Sequence, residues 1–168
     1  PDLLEQMQHK VGPNKIWPEQ PFFTAKREEQ KARHKKFNEL EYNLEPNVKE
    51  SPGGLRDIQM IAWVAKRHFG GNNLRDLVSN DFLNETEFGL LSEGQNYLWK
   101  VRYGLHMLAG RAEDRLLFDY QEPLAKLFGF VDTDESLAIE QLMQQFYRVV
   151  LRTMELNDML LQHFDEAI

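Results

Sequence analysis

The chain has no cysteine among its 168 residues. A disulfide framework and a thiolate zinc site are therefore excluded. The absence fits a reducing compartment, and a cytoplasmic location is the expectation. No run approaches eighteen apolar residues, and the N-terminus lacks a signal-peptide pattern, so neither a membrane span nor a leader is expected. Positive charge is in deficit, with 20 Lys and Arg against 27 Asp and Glu and a net charge of -7. That disfavours broad binding to nucleic acid or anionic membranes. The five histidines (His9, His34, His68, His106, His163) match neither H-x-x-x-H nor H-E-x-x-H, so no metal site is expected. His106 lies near an apolar stripe and reads as a core histidine. P-loop and Gly-x-Ser-x-Gly patterns are missing, as are repeats and low-complexity tracts. Strand signals are nearly absent; Leu44 to Val48 is the one weak candidate.

What is present is helix. The composition, 42% hydrophobic and 28% charged with mean hydropathy -0.57, is that of one globular domain with a real core. Leu3, Leu4 and Met7 suggest a short helix. Val11 to Pro21 carries Gly12 and three prolines and reads as a connector. Phe22 to Leu40 has good helix formers throughout. Lys26, Gln30 and Arg33 share one stripe of it, with Glu29 beside them and a basic cluster of Lys31, Arg33, Lys35 and Lys36. That face is either solvated or lines a cleft. Leu55, Ile58, Ala62, Ala65 and Phe69 recur at helical spacing up to Gly70-Gly71. Leu74, Leu77 and Val78 form a short helix or turn. Asn84 and Glu87 read as a cap for a long helix with Leu91, Leu98, Val101, Leu105 and Leu108 on one side. Leu117 to Leu127 is a shorter segment, broken or kinked at Pro123 and stopped by Gly129. Asp132 to Glu135 caps a last helix of about 30 residues, or about 45 Å. Its stripe is Leu142, Phe146, Val149, Leu156 and Leu160, with Thr153 filling one place. The fold class expected is all-α, an elongated bundle of five to seven helices with one short extended or looped segment. The chain divides into N-terminal helices over 1–42, a Pro/Gly loop over 43–54 and a helical bundle over 55–168.

The stretch from Asn43 to Gln59 organises the rest. It reads Asn-Leu-Glu-Pro-Asn-Val-Lys-Glu-Ser-Pro-Gly-Gly-Leu-Arg-Asp-Ile-Gln. Pro46 and Pro52 forbid a continuous helix through it. Ser51-Pro52 reads as an N-cap followed by proline at the first helical position. Gly53 and Gly54 leave the backbone bare where a new helix exposes unpaired N–H groups, an arrangement that attracts anions. Lys49 and Arg56 bracket that end. Asp57, in the first turn, suits the helix dipole and is placed to hold Arg56 or a metal. The plainer reading is a packing turn whose cations pair with Glu45, Glu50 or Asp57 at the surface.

The same residues closely resemble the segment that follows the nucleotidyltransferase domain of bacterial PII uridylyltransferases, the bifunctional uridylyltransferase/uridylyl-removing enzymes of nitrogen regulation. The likeness extends to Lys26, Glu28-Glu29-Gln30 and Arg33-His34. Downstream it takes in Trp63-Val64-Ala65, Arg67-His68-Phe69-Gly70 and Asp114-Arg115-Leu116-Leu117-Phe118-Asp119. It closes on Glu155-Leu156-Asn157 and Leu160-Leu161-Gln162. Glutamine synthetase adenylyltransferases are similar around Lys49 to Ile58 alone.

The resemblance implies a parent enzyme that moves UMP from UTP to a tyrosine of the PII signalling protein with Mg2+, and hydrolyses it off under glutamine control. The family's transferase domain needs a Gly-Ser turn and an Asp-x-Asp pair. This chain has no Gly-Ser, and its one Asp-x-Asp, Asp132 and Asp134, stands where a helix cap is wanted. The uridylyl-removing domain needs a His-Asp dipeptide, and none occurs. The chain starts at Pro1 and ends in an acidic helical pattern, as a piece of a longer protein would. It is expected to be inactive alone, with no catalytic or metal residues and no cofactor of its own. It would form part of the wall of the nucleotide/PII cleft beside the nucleotidyltransferase and His-Asp domains. Lys49, Gly53, Gly54 and Arg56 are the candidate phosphate contacts, with Lys26, Arg33 and Asp57 behind them. The alternatives are a protein-interaction module, a spacer, or the corresponding region of an adenylyltransferase.

Overall fold

A computed structural model describes residues 2–10, 17–38, 44–70 and 73–168. Seven helices follow one another along the described residues: α1 (Leu3–Lys10), α2 (Glu19–Asn38), α3 (Leu55–Phe69), α4 (Asp76–Ser79), α5 (Glu85–Ala109), α6 (Phe118–Leu127) and α7 (Ala138–Ala167). No described strand or sheet accompanies them, so the chain is all-α. No helix is long and apolar enough to cross a membrane among the described residues. Residues 11–16 of the expected connector, 39–43 and Gly71 lie outside the described residues.

The helices α5, α6 and α7 pack on one another, α3 lies against α7, and α2 covers α3. Alpha7 has the expected 30 residues. It buries Leu142, Phe146, Thr153, Leu160 and Phe164 along one stripe. Asn157, not Leu156, occupies the stripe between Thr153 and Leu160; Leu156 is half-buried. On α5, Leu91, Leu98, Val101 and Leu105 are buried as expected, while Leu108 is 38% exposed. Glycine lets the helices close up. A Cβ on Gly104 would stand 2.5 Å from Leu124 of α6.

Three boundaries and one expected break differ from the sequence reading. Alpha2 starts at Glu19 and takes Pro21 into its first turn, where a proline costs no helical hydrogen bond. Alpha3 starts at Leu55, with Gly54 as its cap residue in an extended conformation. Ser51-Pro52 lies instead in the turn before it. Alpha6 runs unbroken through Pro123. There the one lost bond, to the carbonyl of Asp119, is offset by burial of Leu124 and Ala125. Alpha7 begins at Ala138, later than Asp132 to Glu135; Asp132 still caps it, accepting the Ala138 amide at 2.8 Å. The cap on α5 is as expected, with reciprocal bonds between Asn84 and Glu87.

The weak strand candidate makes a single antiparallel bridge between Asn47 and Arg115. Val48 donates to the Asp114 carbonyl at 2.8 Å, and Leu116 donates to the Pro46 carbonyl at 2.9 Å. These two bonds pin the loop before α3 to the segment between α5 and α6.

Candidate functional site: a clamped loop bearing cations

The loop from Pro46 to Gly54 folds on its own polar groups. Asn47 Oδ1 accepts the amides of Lys49 and Glu50 at 3.0 and 2.8 Å. The Ser51 hydroxyl accepts the Asn47 amide at 3.0 Å. Gly54 donates to the Ser51 carbonyl, Leu55 to that of Val48, and Arg56 to that of Lys49. Gly53 donates to Asp57 Oδ2 at 2.7 Å. The amides at the start of α3 are thus all engaged within the chain. Any anion here meets side chains and not the Gly53 or Gly54 backbone.

The glycines are explained by packing. Gly53 has φ +71, and a Cβ on it would stand 2.3 Å from the Val150 carbonyl oxygen of α7. A Cβ on Gly54 would meet the carbonyls of Lys49 and Ser51 at 2.8 Å.

Behind the loop, Asp57 is fully buried. Its carboxylate accepts Arg33 Nη2 at 2.6 Å, Gln30 Nε2 at 2.8 Å and the Gly53 amide; His34 Nε2 lies 3.0 Å from both oxygens. Gln30 also donates to Asn157 of α7 at 3.1 Å. Burial by itself would raise the Asp57 pKa. The His34 hydrogen bond, the Arg33 charge and the Gln30 bond outweigh burial and hold the carboxyl below its usual range. The expected partner of Asp57 was Arg56 or a metal; the partner found is Arg33. No group of metal ligands occurs among the described residues.

The stripe of Lys26, Gln30 and Arg33 therefore faces α3 and is not simply solvated. Arg33 reaches past Asp57 to donate to the Glu50 carbonyl at 2.9 Å. In front, Arg56 donates to Glu50 Oε1 at 3.2 Å, and Lys49 Nζ lies 3.7 Å from the same oxygen. Arg33 Nε lies 3.9 Å from the other oxygen, so three cations converge on this half-buried carboxylate; the plainer reading anticipated the pairing of Lys49 and Arg56. Arg56 also binds Gln59 at 3.0 Å. Lys49 has a second acid nearby. Burial would raise the Asp114 pKa, but hydrogen bonds from Arg102 and His106, with the charges of Arg102 and Lys49, lower it. His106 is accordingly half-buried and bonded to Asp114 at 3.1 Å, at the edge of the core. Lys26 pairs with Glu29 at 2.6 Å and stands over Trp63, 4.8 Å from the ring centre.

Comparison with known proteins gives the family. The family described as GlnD PII-uridylyltransferase matches residues 21–161. The chain belongs to this PII-uridylyltransferase family. It is 59% identical over 166 residues to a protein of Ectopseudomonas mendocina, covering 99% of this chain and 18% of that protein. It is 58% identical over 169 residues to one of Pseudomonas aeruginosa, covering 100% and 19%. A third, from Azotobacter vinelandii, is 56% identical over 166 residues, covering 99% and 18%. Each is called a bifunctional uridylyltransferase/uridylyl-removing enzyme. The chain spans under a fifth of the length of these relatives, and no solved structure matches it.

In this uridylyltransferase-family chain, the structure brings Lys49, Gly53, Gly54 and Arg56 into one loop and helix start. Arg33 and Asp57 lie directly beneath, and Lys26 stands along the α2–α3 seam. Sequence reasoning missed His34 and Asn157 as members of the buried network. Asn157 is 127 residues from Gln30, and no local pattern connects them. The one available signal was a polar residue on the α7 stripe, at the step from Thr153 to Leu160.

Proposed function

We propose that this chain is the helical wall of the nucleotide cleft in a PII uridylyltransferase. The parent enzyme would transfer UMP from UTP to a tyrosine of PII, with Mg2+ held elsewhere, and would remove it in response to glutamine. Lys49 and Arg56 would meet the phosphates through their side chains. The observation that carries the reading is the sharing of Glu50 by those two cations, on a loop fixed from behind by Asp57 and Arg33. A dianionic or more highly charged group offers each cation a stronger charge-assisted partner than a carboxylate it shares with others. The fixed loop means little ordering is required when the phosphate arrives.

Steady-state kinetics of both activities in a full-length enzyme carrying this chain test the reading. Arg56→Ala should cut uridylylation roughly a hundredfold, while uridylyl removal is spared. Unchanged transfer in both Arg56→Ala and Lys49→Ala would refute it.

A second reading, docking of a protein partner, has one observation in its favour. Trp99, Tyr103 and Met107 recur every four residues on α5, and all three are exposed. Under that reading Tyr103→Ala weakens partner binding and the loop cations do not matter.

A further inference from the structure

We propose that Trp63 is the platform on which the planar base of the nucleotide stacks. The inference rests on the function proposed above and adds the second half of the ligand to the same site. Trp63 lies seven residues after Arg56, which puts both on one face of α3. The rise between them is about 10 Å, the scale on which a nucleotide separates its base from its outer phosphates. Ile58, Ile61 and Val64 of the same helix are buried, whereas Trp63 stays 37% exposed. Its ring is not simply left in water. Arg56 Cζ stands 5.8 Å from the ring centre and Lys26 Nζ stands 4.8 Å from it. An indole beside two cations suits a flat π system that carries a negative tail. Arg56 links the halves, since it touches both the ring and the Glu50 carboxylate that Lys49 shares. Lys26 keeps Glu29 as a partner when a base takes the ring face. The chain as a whole carries a net charge of -7, so this cationic seam runs against the bulk of the surface. An acidic, aromatic peptide would present related chemistry, and the experiment separates it from the nucleotide.

The test uses the full-length enzyme with Trp63→Ala and Trp63→Phe, and inorganic tripolyphosphate as a competitive inhibitor. Trp63→Ala should raise KM for UTP about tenfold or more, as loss of one stacked base does. KM for the protein substrate and the rate of uridylyl removal should stay put. The Ki of tripolyphosphate, which has no base, should also be unchanged. Trp63→Phe should recover most of the UTP affinity. The inference is overturned if KM for UTP is unaffected, if KM for the protein substrate rises instead, or if Trp63→Phe is as poor as Trp63→Ala. Failure of the underlying phosphate reading looks different: Arg56→Ala would then leave the Ki of tripolyphosphate at its wild-type value.

Discussion

Asp57 accepts the backbone N–H of Gly53 at 2.7 Å, reaching four residues back along the chain from inside the first turn of α3. This bond closes the loop before α3 onto the helix it precedes. The same carboxylate holds Arg33 of α2 at 2.6 Å. Loop, α2 and α3 therefore share one buried anion.

Removing that anion should be costly. Asp57→Asn keeps the shape but takes from Arg33, largely buried itself, its close counter-charge at 2.6 Å and leaves it only Glu50 at 3.9 Å. Loss of one partner of a buried pair costs about 3–5 kcal/mol. Urea unfolding of the chain, followed by circular dichroism, should show a loss of that size.

The pH dependence of stability follows from the direction of the Asp57 shift. The folded pKa lies below the ordinary value of 3.8. The unfolded chain therefore takes up the proton first as pH falls. The stabilisation is complete above the unfolded pKa and is lost as pH drops through the lower folded value. Asp114, also lowered, adds to the same acid limb. Unfolding free energy should thus be flat near neutrality and fall steeply below about pH 4. Asp57→Asn should make that fall shallower. A decline in the wild type starting near pH 6 would contradict the assignment.

The glycines offer a controlled comparison. Gly53 and Gly129 both have positive φ, +71 and +84. Alanine in that region costs about 1–3 kcal/mol. No atom lies within 4 Å of a Cβ on Gly129, whereas the Val150 carbonyl oxygen lies 2.3 Å from one on Gly53. Gly53→Ala should therefore lower the Tm distinctly more than Gly129→Ala.

On α7 the stripe predicts a contrast between neighbours. Leu160 is fully buried and Leu156 is half-buried. Leu160→Ala should cost about 2–5 kcal/mol, and Leu156→Ala clearly less. Equal losses in thermal melts would place the stripe wrongly.

The leucine pair also shows what the sequence makes legible. Helix formers, not apolar spacing, showed α2. Apolar spacing located α3, α5 and α7, each of which buries one face, and it gave α7 its length. It did not fix which residue follows Thr153 into the core, because Asn157 is buried through a hydrogen bond to Gln30 and not through hydrophobicity. At the loop, residue types revealed a turn, a helix start and two cations. They did not reveal that the Gly53 amide is taken by Asp57, nor that Arg33 and not Arg56 answers that carboxylate. Those choices depend on α2 lying along α3, a tertiary fact with no local signature. Pro21 and Pro123 misled for a related reason: a proline's effect depends on its turn of the helix and on the packing around it.

In the proposed function Lys49 and Arg56 face the phosphates of the nucleotide. The most direct measurement is an experimental structure of a full-length enzyme carrying this chain, with a non-hydrolysable UTP analogue bound. Arg56 and Lys49 nitrogens are expected within about 3 Å of phosphate oxygens, with Glu50 released by at least one of them and the Asp57 network unmoved. A loop turned away from the nucleotide, with both cations still on Glu50, would contradict it.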